Sequence, residues 1–168
     1  LNDKRGRFGG GKLFGPRPER KPPEYEQKLI DIRRVARVVA GGRRFSFRVT
    51  IVIGNRKGEV GVGLGKADDT SLAIEKAFRN AKKHLIKVVL NERGSIPCET
   101  TGKFGSALVY IKPSLGGRGL VAGGSVRTVL DLAGVKNTSA KIISTSKNKL
   151  NNARAALVAL SNLKFKKI

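Results

Sequence analysis

Residues 45–67 read FSFRVTIVIGNRKGEVGVGLGKA, and this stretch decides the fold of the first half of the chain. Apolar side chains occupy every second position from Phe45 to Ile53, a period that predicts a strand with one face on a core. A loop follows at residues 54–58, and apolar residues then alternate with glycine from Val60 to Gly65. We therefore expect two adjacent strands, the second with a flat glycine face that another part of the structure can approach closely.

The segments on either side of this stretch complete one structural unit. Residues 29–39 are rich in β-branched residues with arginines between them, which predicts a further strand, and residues 40–42 predict a turn. After residue 67 the apolar residues recur every three or four positions, which predicts a helix. Its expected caps are Asp68, Asp69 or Thr70, and its expected core side chains are Ile74, Ala77, Phe78, Ala81, Leu85 and Val88. We expect three antiparallel strands and this helix to form a domain over residues 28–93.

A second domain is expected over residues 94–168. Residues 99–111 predict a hairpin that is broken near residues 102–105, and the glycine-rich residues 115–124 lead into a helix that ends at Gly134. A short strand at residues 141–144 and a final helix follow. The order of strands and helices predicts an α/β sandwich, so the fold class of the whole chain is α+β.

The chain carries far more positive charge than its own acids can neutralise. Its 168 residues include 35 lysines and arginines but 12 acidic residues, a formal net charge of +23. Nucleic acid is the favoured partner, because each neutralised phosphate releases counterions. An anionic membrane would need a basic amphipathic helix with bulky apolar anchors or a span of about 18 apolar residues, and the sequence has neither. Residues 1–27 combine glycine, proline and charge, and we expect them to form a flexible basic arm.

The residues that enzymes use for catalysis are scarce and scattered. His84, expected within the first helix, is the single histidine, and the single cysteine, Cys98, has no neighbour in sequence that would activate a thiol. The sequence around Lys66 resembles the end of a P-loop, but Ala67 stands where that motif needs a serine or threonine. Residues 117–122 match G-x-G-x-x-A, yet no acidic residue follows about 20 positions later to bind a ribose. We expect no enzymatic activity, no cofactor and no metal site.

Arginines cluster on both sides of the predicted turn at residues 40–42. They are Arg33, Arg34, Arg37, Arg43 and Arg44. Contact with phosphate is favoured over a solvated strand edge, because guanidinium groups bind phosphate through two parallel hydrogen bonds. The chain has only seven phenylalanines and two tyrosines, so we expect recognition of RNA shape and backbone more than of single-stranded sequence.

The glycine-rich loop is a second candidate site. It places backbone N–H groups beside Arg118 and Arg127 at the start of a helix. This arrangement suits a phosphate or the carboxylate of a partner. The alternative is a plain flexible loop.

Two groups of motifs resemble one known family. Residues 41–47 read GGRRFSF and residues 61–67 read GVGLGKA. In the second half, the motifs in family order are IKP at 111–113, AGG at 122–124, VL at 129–130, LAGV at 132–135 and NARA at 152–155. Together they resemble ribosomal protein five of the small subunit, over about residues 28–160.

The resemblance implies both a fold and a set of partners. It implies an N-terminal domain similar to a double-stranded-RNA-binding fold and a C-terminal α/β domain with a left-handed β-α-β crossover. Members of the family bind small-subunit ribosomal RNA near the head–body junction and contact ribosomal proteins three, four and eight. The implied location is the cytoplasmic ribosome of a bacterium or an organellar ribosome.

The resemblance also implies roles for individual segments. The loop at residues 40–44 matches one that inserts into RNA near the spectinomycin site. The three arginines that precede it, Arg33, Arg34 and Arg37, fall where the family lines the messenger RNA entry channel. The loop at residues 115–124 resembles the family's interface with ribosomal protein four, which affects decoding accuracy. Two residues depart from the family pattern, which commonly has lysine in place of Ala40 and a small residue in place of Arg118.

These arguments give two sets of expected site residues. The expected RNA-binding residues are Arg33, Arg34, Arg37, Gly41, Gly42, Arg43, Arg44, Arg56, Lys57 and Lys66. The expected protein-interface residues are Gly116, Gly117, Arg118, Gly119 and Arg127. The expected function is that of a structural constituent of the small ribosomal subunit. The alternatives are a free-standing double-stranded-RNA-binding module and an enzyme that uses the glycine-rich loop.

Overall fold

The first half of the chain forms a four-stranded antiparallel sheet with one helix. The structure is a computed structural model that describes residues 24–91, 94–114 and 117–163. The elements are β1 (Glu26–Val39), β2 (Gly42–Gly54), β3 (Glu59–Ala67), α1 (Thr70–Lys83) and β4 (Leu85–Lys87). The strands lie in the order β1-β2-β3-β4, so each strand pairs with its neighbour in sequence.

The second half forms a mixed sheet with two helices. Its elements are β5 (Thr100–Phe104), β6 (Ala107–Pro113), β7 (Leu120–Val121), α2 (Gly124–Ala133), β8 (Thr138–Ile142) and α3 (Lys149–Ser161). The sheet has the order β5-β6-β8-β7, with β7 and β8 parallel and the other pairs antiparallel. The α+β fold expected from the sequence is confirmed. Helix α2 joins the parallel pair in a β-α-β unit, and the left-handed crossover implied by the resemblance stays a prediction.

The predicted first helix was too long. Helix α1 ends at Lys83, and His84, expected inside it, is its C-cap with φ −117° and ψ 35°. Leu85 then begins β4, where it pairs with Gly61 of β3, and this strand was not predicted from the sequence. Leu85 and Val88 continue the helical spacing, but each is apolar for another reason. Leu85 packs against a small core between the first sheet and α1. Val88 is buried in a larger core that residues of both halves of the chain form.

Other boundaries also differ from expectation. The hairpin between β5 and β6 turns at residues 105–106, because Gly105 adopts a φ of +57° while Gly102 pairs within the sheet. Strand β8 lies at 138–142, where small polar residues hide the strand pattern, and the two-residue strand β7 at 120–121 lies within the expected glycine-rich loop. Strand β1 begins at Glu26, so the last two residues of the expected arm belong to the sheet. Residues 1–23 of that arm lie outside the described residues.

Glycines on the strands allow the helices to lie directly on the sheets. A Cβ atom at Gly63 would lie 2.6 Å from the backbone N of Ala81 and 2.7 Å from its Cβ. Gly65 faces Ala77 in the same way, and a Cβ at Gly102 would lie 2.7 Å from the Cβ of Ala159 on α3. The flat glycine face expected from the sequence is therefore filled by α1, and the same glycine–alanine packing recurs between β5 and α3.

The first sheet is buried on both faces where it meets the second half of the chain. Every residue from Val49 to Gly54 is buried, whereas the sequence predicted one core face for this strand. One face packs on α1 in a small core, and the other contributes Val52 to a larger core shared with α2 and α3. Backbone bonds link the two halves as well, since Arg56 N–H donates to Leu132 O at 3.0 Å and Gly58 N–H to Ala133 O at 3.0 Å. The two sheets are therefore held in one packed body.

Candidate nucleic-acid interface

A two-stranded ribbon projects from the first sheet. Strand β3 pairs with β2 only between Phe47 and Gly54. Beyond that point β1 and β2 pair only with each other, from Val35 opposite Ser46 to Val39 opposite Gly42. We call residues 34–47 the ribbon. Five residues of each strand, together with the turn, extend it about 20 Å beyond the sheet. The chain reverses at residues 40–41, and Gly42 has a φ of +137°, which a residue with a side chain rarely adopts.

One face of the ribbon and its base carries a group of five cationic side chains. Directly opposed residues of an antiparallel pair share a face. Arg33 lies opposite Arg48, and Arg37 lies opposite Arg44. On the third strand, Lys66 lies opposite Arg48. We call these five exposed residues the arginine face.

The arginine face has one acidic group at its base. Arg33 Nε donates to Asp31 Oδ2 at 2.7 Å, and Lys149 Nζ donates to Asp31 Oδ1 at 3.1 Å. Burial of the Asp31 carboxyl opposes its ionisation, but these two hydrogen bonds and charges outweigh it and hold the pKa of Asp31 below its usual value. Among the residues that the structure describes, no acid pairs with Arg37, Arg44 or Arg48.

The opposite face of the ribbon is partly aromatic. Arg34 lies over the ring of Phe45, with its guanidinium carbon 3.7 Å from the ring centroid. Arg43 lies on the same face opposite Val38, and Phe47 marks the point where this face meets the small core under α1. We call these residues, together with Ile32 and Ala36, the aromatic face.

The structure brings most of the expected RNA-binding residues together. All five predicted arginines, Gly41, Gly42 and Lys66 lie on the ribbon or at its base. Arg56 and Lys57 do not, because they lie in the loop at the other end of β2, about 40 Å from the turn. Arg56 forms an ion pair with Glu26 at 2.8 Å, and its φ of +55° fits the close contact of this loop with α2.

The expected protein-interface residues lie at the edge of the second sheet. Gly116 lies outside the described residues. Gly117 and Gly119 have φ values of +69° and +70°, and nothing lies within 4 Å of a Cβ built on either. Arg118 is exposed beside Lys112 and Glu99, and Arg127 is exposed in the first turn of α2. The loop thus presents an open backbone and two cations at the β7 edge.

Sequence reasoning missed two cations of the interface. Arg48 was read as one polar position in an alternating strand, although that alternation places it on the same face of the strand as Arg44. A signal was therefore present. Lys149 could not be found in the same way, because its contact with Asp31 joins residues 118 positions apart.

The residues considered for catalysis are not assembled into a site. His84 is exposed, with Nδ1 2.9 Å from Asn80 O, and Cys98 is half-buried against the larger core. No group of three metal-binding side chains occurs within the described part of the chain. In that same part, each helix is too short or too polar to cross a membrane.

Comparison with known proteins gives matches over both halves of the chain. Residues 25–89 match the family described as ribosomal protein S5, N-terminal domain, and residues 102–167 match the family described as ribosomal protein S5, C-terminal domain.

Three curated relatives are each named small ribosomal subunit protein uS5. The chain is 51% identical over 144 residues to that of Synechococcus sp. (strain CC9902), covering 86% of this chain and 66% of the relative. The relative from Prochlorococcus marinus (strain MIT 9313) is 48% identical over 151 residues, covering 90% of this chain and 72% of the relative. The relative from Synechococcus elongatus (strain ATCC 33912 / PCC 7942 / FACHB-805) is 51% identical, covering 86% and 79%. The chain thus spans between 66% and 79% of the length of these proteins.

Proposed function

We propose, because the chain belongs to the ribosomal protein S5 family, that it is a structural constituent of the small ribosomal subunit and binds ribosomal RNA through the arginine face. This role agrees with the names of its relatives, which are ribosomal proteins and not enzymes. A ribosome of bacterial type is the corresponding location, since the relatives named above are cyanobacterial.

The like-charged arginine pairs across the ribbon are the main observation that supports RNA binding. Arg33 faces Arg48 and Arg37 faces Arg44, and like charges directly opposite each other destabilise a strand pair. A polyanion that lies along this face removes the repulsion and gains the release of counterions. RNA phosphates provide such a row of negative charges, and guanidinium groups bind them through paired hydrogen bonds.

The shape of the ribbon supports the same partner. It projects about 20 Å from the sheet, so it can reach into a folded RNA while the body of the protein stays outside. Gly41 and Gly42 keep its tip narrow. Phosphate contacts of this kind position a protein on RNA without reading its sequence, which fits a role in stabilising RNA structure.

Finer roles are proposed from the resemblance. Arg33, Arg34 and Arg37 would line the messenger RNA entry channel. The open loop around Arg118 would contact ribosomal protein four and influence decoding accuracy, with ribosomal proteins eight and three as further neighbours. We also propose that residues 28–93 and 94–168 are two domains, which the two separate sheets support.

Sedimentation tests the proposal. Lysates of cells that produce the tagged chain are separated on sucrose gradients at moderate salt, and the chain is expected almost wholly with small subunits. The double variant Arg37→Gln/Arg44→Gln should dissociate at a lower salt concentration, because two phosphate contacts are lost. The double variant Lys76→Gln/Lys83→Gln is the matched control, since it removes the same charge from exposed positions of α1.

The outcomes separate the candidate functions. A wild-type chain found mainly in the free pool would contradict a ribosomal role, and would favour a free-standing RNA-binding module if it still bound duplex RNA. Equal salt sensitivity of the two double variants would show that the arginine face has no special part in binding.

A further inference from the structure

Phe45 is an exposed aromatic residue that the core does not require. Its side chain is 45% exposed, and it belongs to neither of the two cores of the described structure. The residue opposite it is Ala36, whose small side chain leaves the ring uncovered on that side. On its other side β3 has already ended, because the last pair of β2 with β3 is Phe47 with Ala67. Burial therefore does not explain a phenylalanine at this position.

The Arg34 guanidinium is held in place by this ring. It lies 3.7 Å from the centroid of Phe45, which is the geometry of a cation stacked on an aromatic face. No acid pairs with Arg34 among the residues that the structure describes. Val38 and Ile32, which are 77% and 43% exposed, extend the apolar surface on the same face. The ribbon thus presents a flat cation on an aromatic ring, with apolar surface on either side.

We propose that the aromatic face of the ribbon binds one unpaired RNA base, which stacks on the Arg34–Phe45 pair. The inference rests on the RNA binding proposed above and adds a second mode of contact to it. The arginine face binds phosphates, and the aromatic face takes a base that is not paired within the RNA.

The chemistry of the pair favours a base over a phosphate. A guanidinium plane offers stacking to a flat π system, and its edge still carries N–H donors for the polar edge of that base. A base within a duplex is already stacked on both sides, so the group that fits is an unpaired base in a loop or bulge. A phosphate would instead be bound at the guanidinium edge, with no need for the aromatic ring beneath it.

A fluorescent bulged base tests this inference on the full chain. The probes are an RNA hairpin with one bulged 2-aminopurine and the same hairpin without the bulge. The wild-type chain is expected to bind the bulged hairpin about tenfold more tightly and to quench the 2-aminopurine as it stacks. Phe45→Leu and Arg34→Lys keep an apolar side chain and the positive charge, respectively, and each should remove both the preference and the quenching.

Arg79→Lys is the matched control, since it makes the same change of cation at an exposed position of α1, away from both faces of the ribbon. It should keep both the preference for the bulge and the quenching. Equal affinity of the wild-type chain for the two hairpins would overturn the inference, and so would a preference that survives in either Phe45→Leu or Arg34→Lys.

The test also distinguishes this inference from the proposed function. If the wild-type chain binds both hairpins equally, with an affinity that falls steeply with salt, RNA binding stands and only the stacking arrangement fails. If the wild-type chain binds neither hairpin, both proposals fail.

Discussion

Arg37 lies directly opposite Arg44 across the ribbon, and neither is paired with an acid within the described structure. We predict that Arg44→Thr slows amide hydrogen exchange in residues 35–46 of the isolated protein at low salt. Removing one of two opposed charges should raise the free energy of opening the ribbon by about 0.2 to 1 kcal/mol. The same change should weaken RNA binding, so stability and affinity should move in opposite directions.

Arg43→Thr is the control for this prediction, because Arg43 faces the apolar Val38 and not a second arginine. Hydrogen exchange that slows equally in both variants would mean that the gain comes from threonine itself and not from relief of repulsion.

Close packing of α1 on β3 gives a second prediction. Gly63→Ala places a methyl group 2.7 Å from the Cβ of Ala81 and even closer to the carbonyl oxygen of Ala77. The helix must shift, and the free energy of unfolding should fall by about 1 to 3 kcal/mol or more, as chemical denaturation would measure. Gly124→Ala is the matched control, because nothing lies within 4 Å of that position, and its effect should stay within about 0.5 kcal/mol. Equal stability of the two variants would contradict the packing described.

The fold could be predicted from the sequence where local pattern and burial agree. The alternation from Phe45 to Ile53 was sufficient for β2, because every residue of that stretch pairs with β1 and its side chains alternate between the two faces of the sheet. The identity of the group on the glycine face of β3 was not predictable, since Ala77 and Ala81 signal a helix but not where it packs. The end of α1 was misplaced because Leu85, an apolar residue four positions after Ala81, fits either a helix or an edge strand.

The candidate site was predictable in part for the same reason. The cluster from Arg33 to Arg44 is local in sequence, so a hairpin brings it together. The division of the ribbon into two faces depends on the register of β1 and β2, which residue spacing alone does not fix. The separation of Arg56 from the ribbon, in contrast, could be predicted, because the predicted strand from Phe45 to Ile53 lies between Arg56 and the turn.

The ion pairs of Asp31 give a prediction about pH. Hydrogen bonds from Arg33 and Lys149 outweigh burial and lower the pKa of Asp31 in the folded state. The ionised Asp31 carboxylate therefore stabilises the folded state at pH values above its pKa in the unfolded chain, which is about 3.9. This stabilisation is lost as the pH falls through the lower pKa of the folded state. The melting temperature of Asp31→Asn should therefore lie below that of the wild type at pH 6. The difference should shrink as the pH falls below about 4, and a difference that is independent of pH would contradict the assignment.

The two tyrosines give a prediction at alkaline pH. The hydroxyl of Tyr25 donates to Glu59 Oε2 at 3.1 Å, and that of Tyr110 donates to Glu99. Each carboxylate favours the protonated phenol, so the pKa of each tyrosine is raised above 10.0. Absorbance of the tyrosinate should therefore appear at higher pH than in an unfolded control, and the chain has no tryptophan to obscure it.

A substitution at Glu59 tests whether its hydrogen bond raises the pKa of Tyr25. In a Tyr110→Phe background, Glu59→Gln should move the titration of Tyr25 to lower pH. If Glu59→Gln leaves the midpoint unchanged, the hydrogen bond to Glu59 does not hold the phenol in solution.

The salt dependence of RNA binding tests the central claim most directly. Affinity for small-subunit ribosomal RNA is measured over a series of salt concentrations for the wild type and for Arg37→Gln/Arg44→Gln/Arg48→Gln. If the arginine face binds phosphates, the slope of log affinity against log salt should become shallower by about 2 to 3 units, since each lost phosphate contact removes about 0.7 to 0.9. A slope that the triple variant leaves unchanged would show that the arginine face does not bind RNA phosphates.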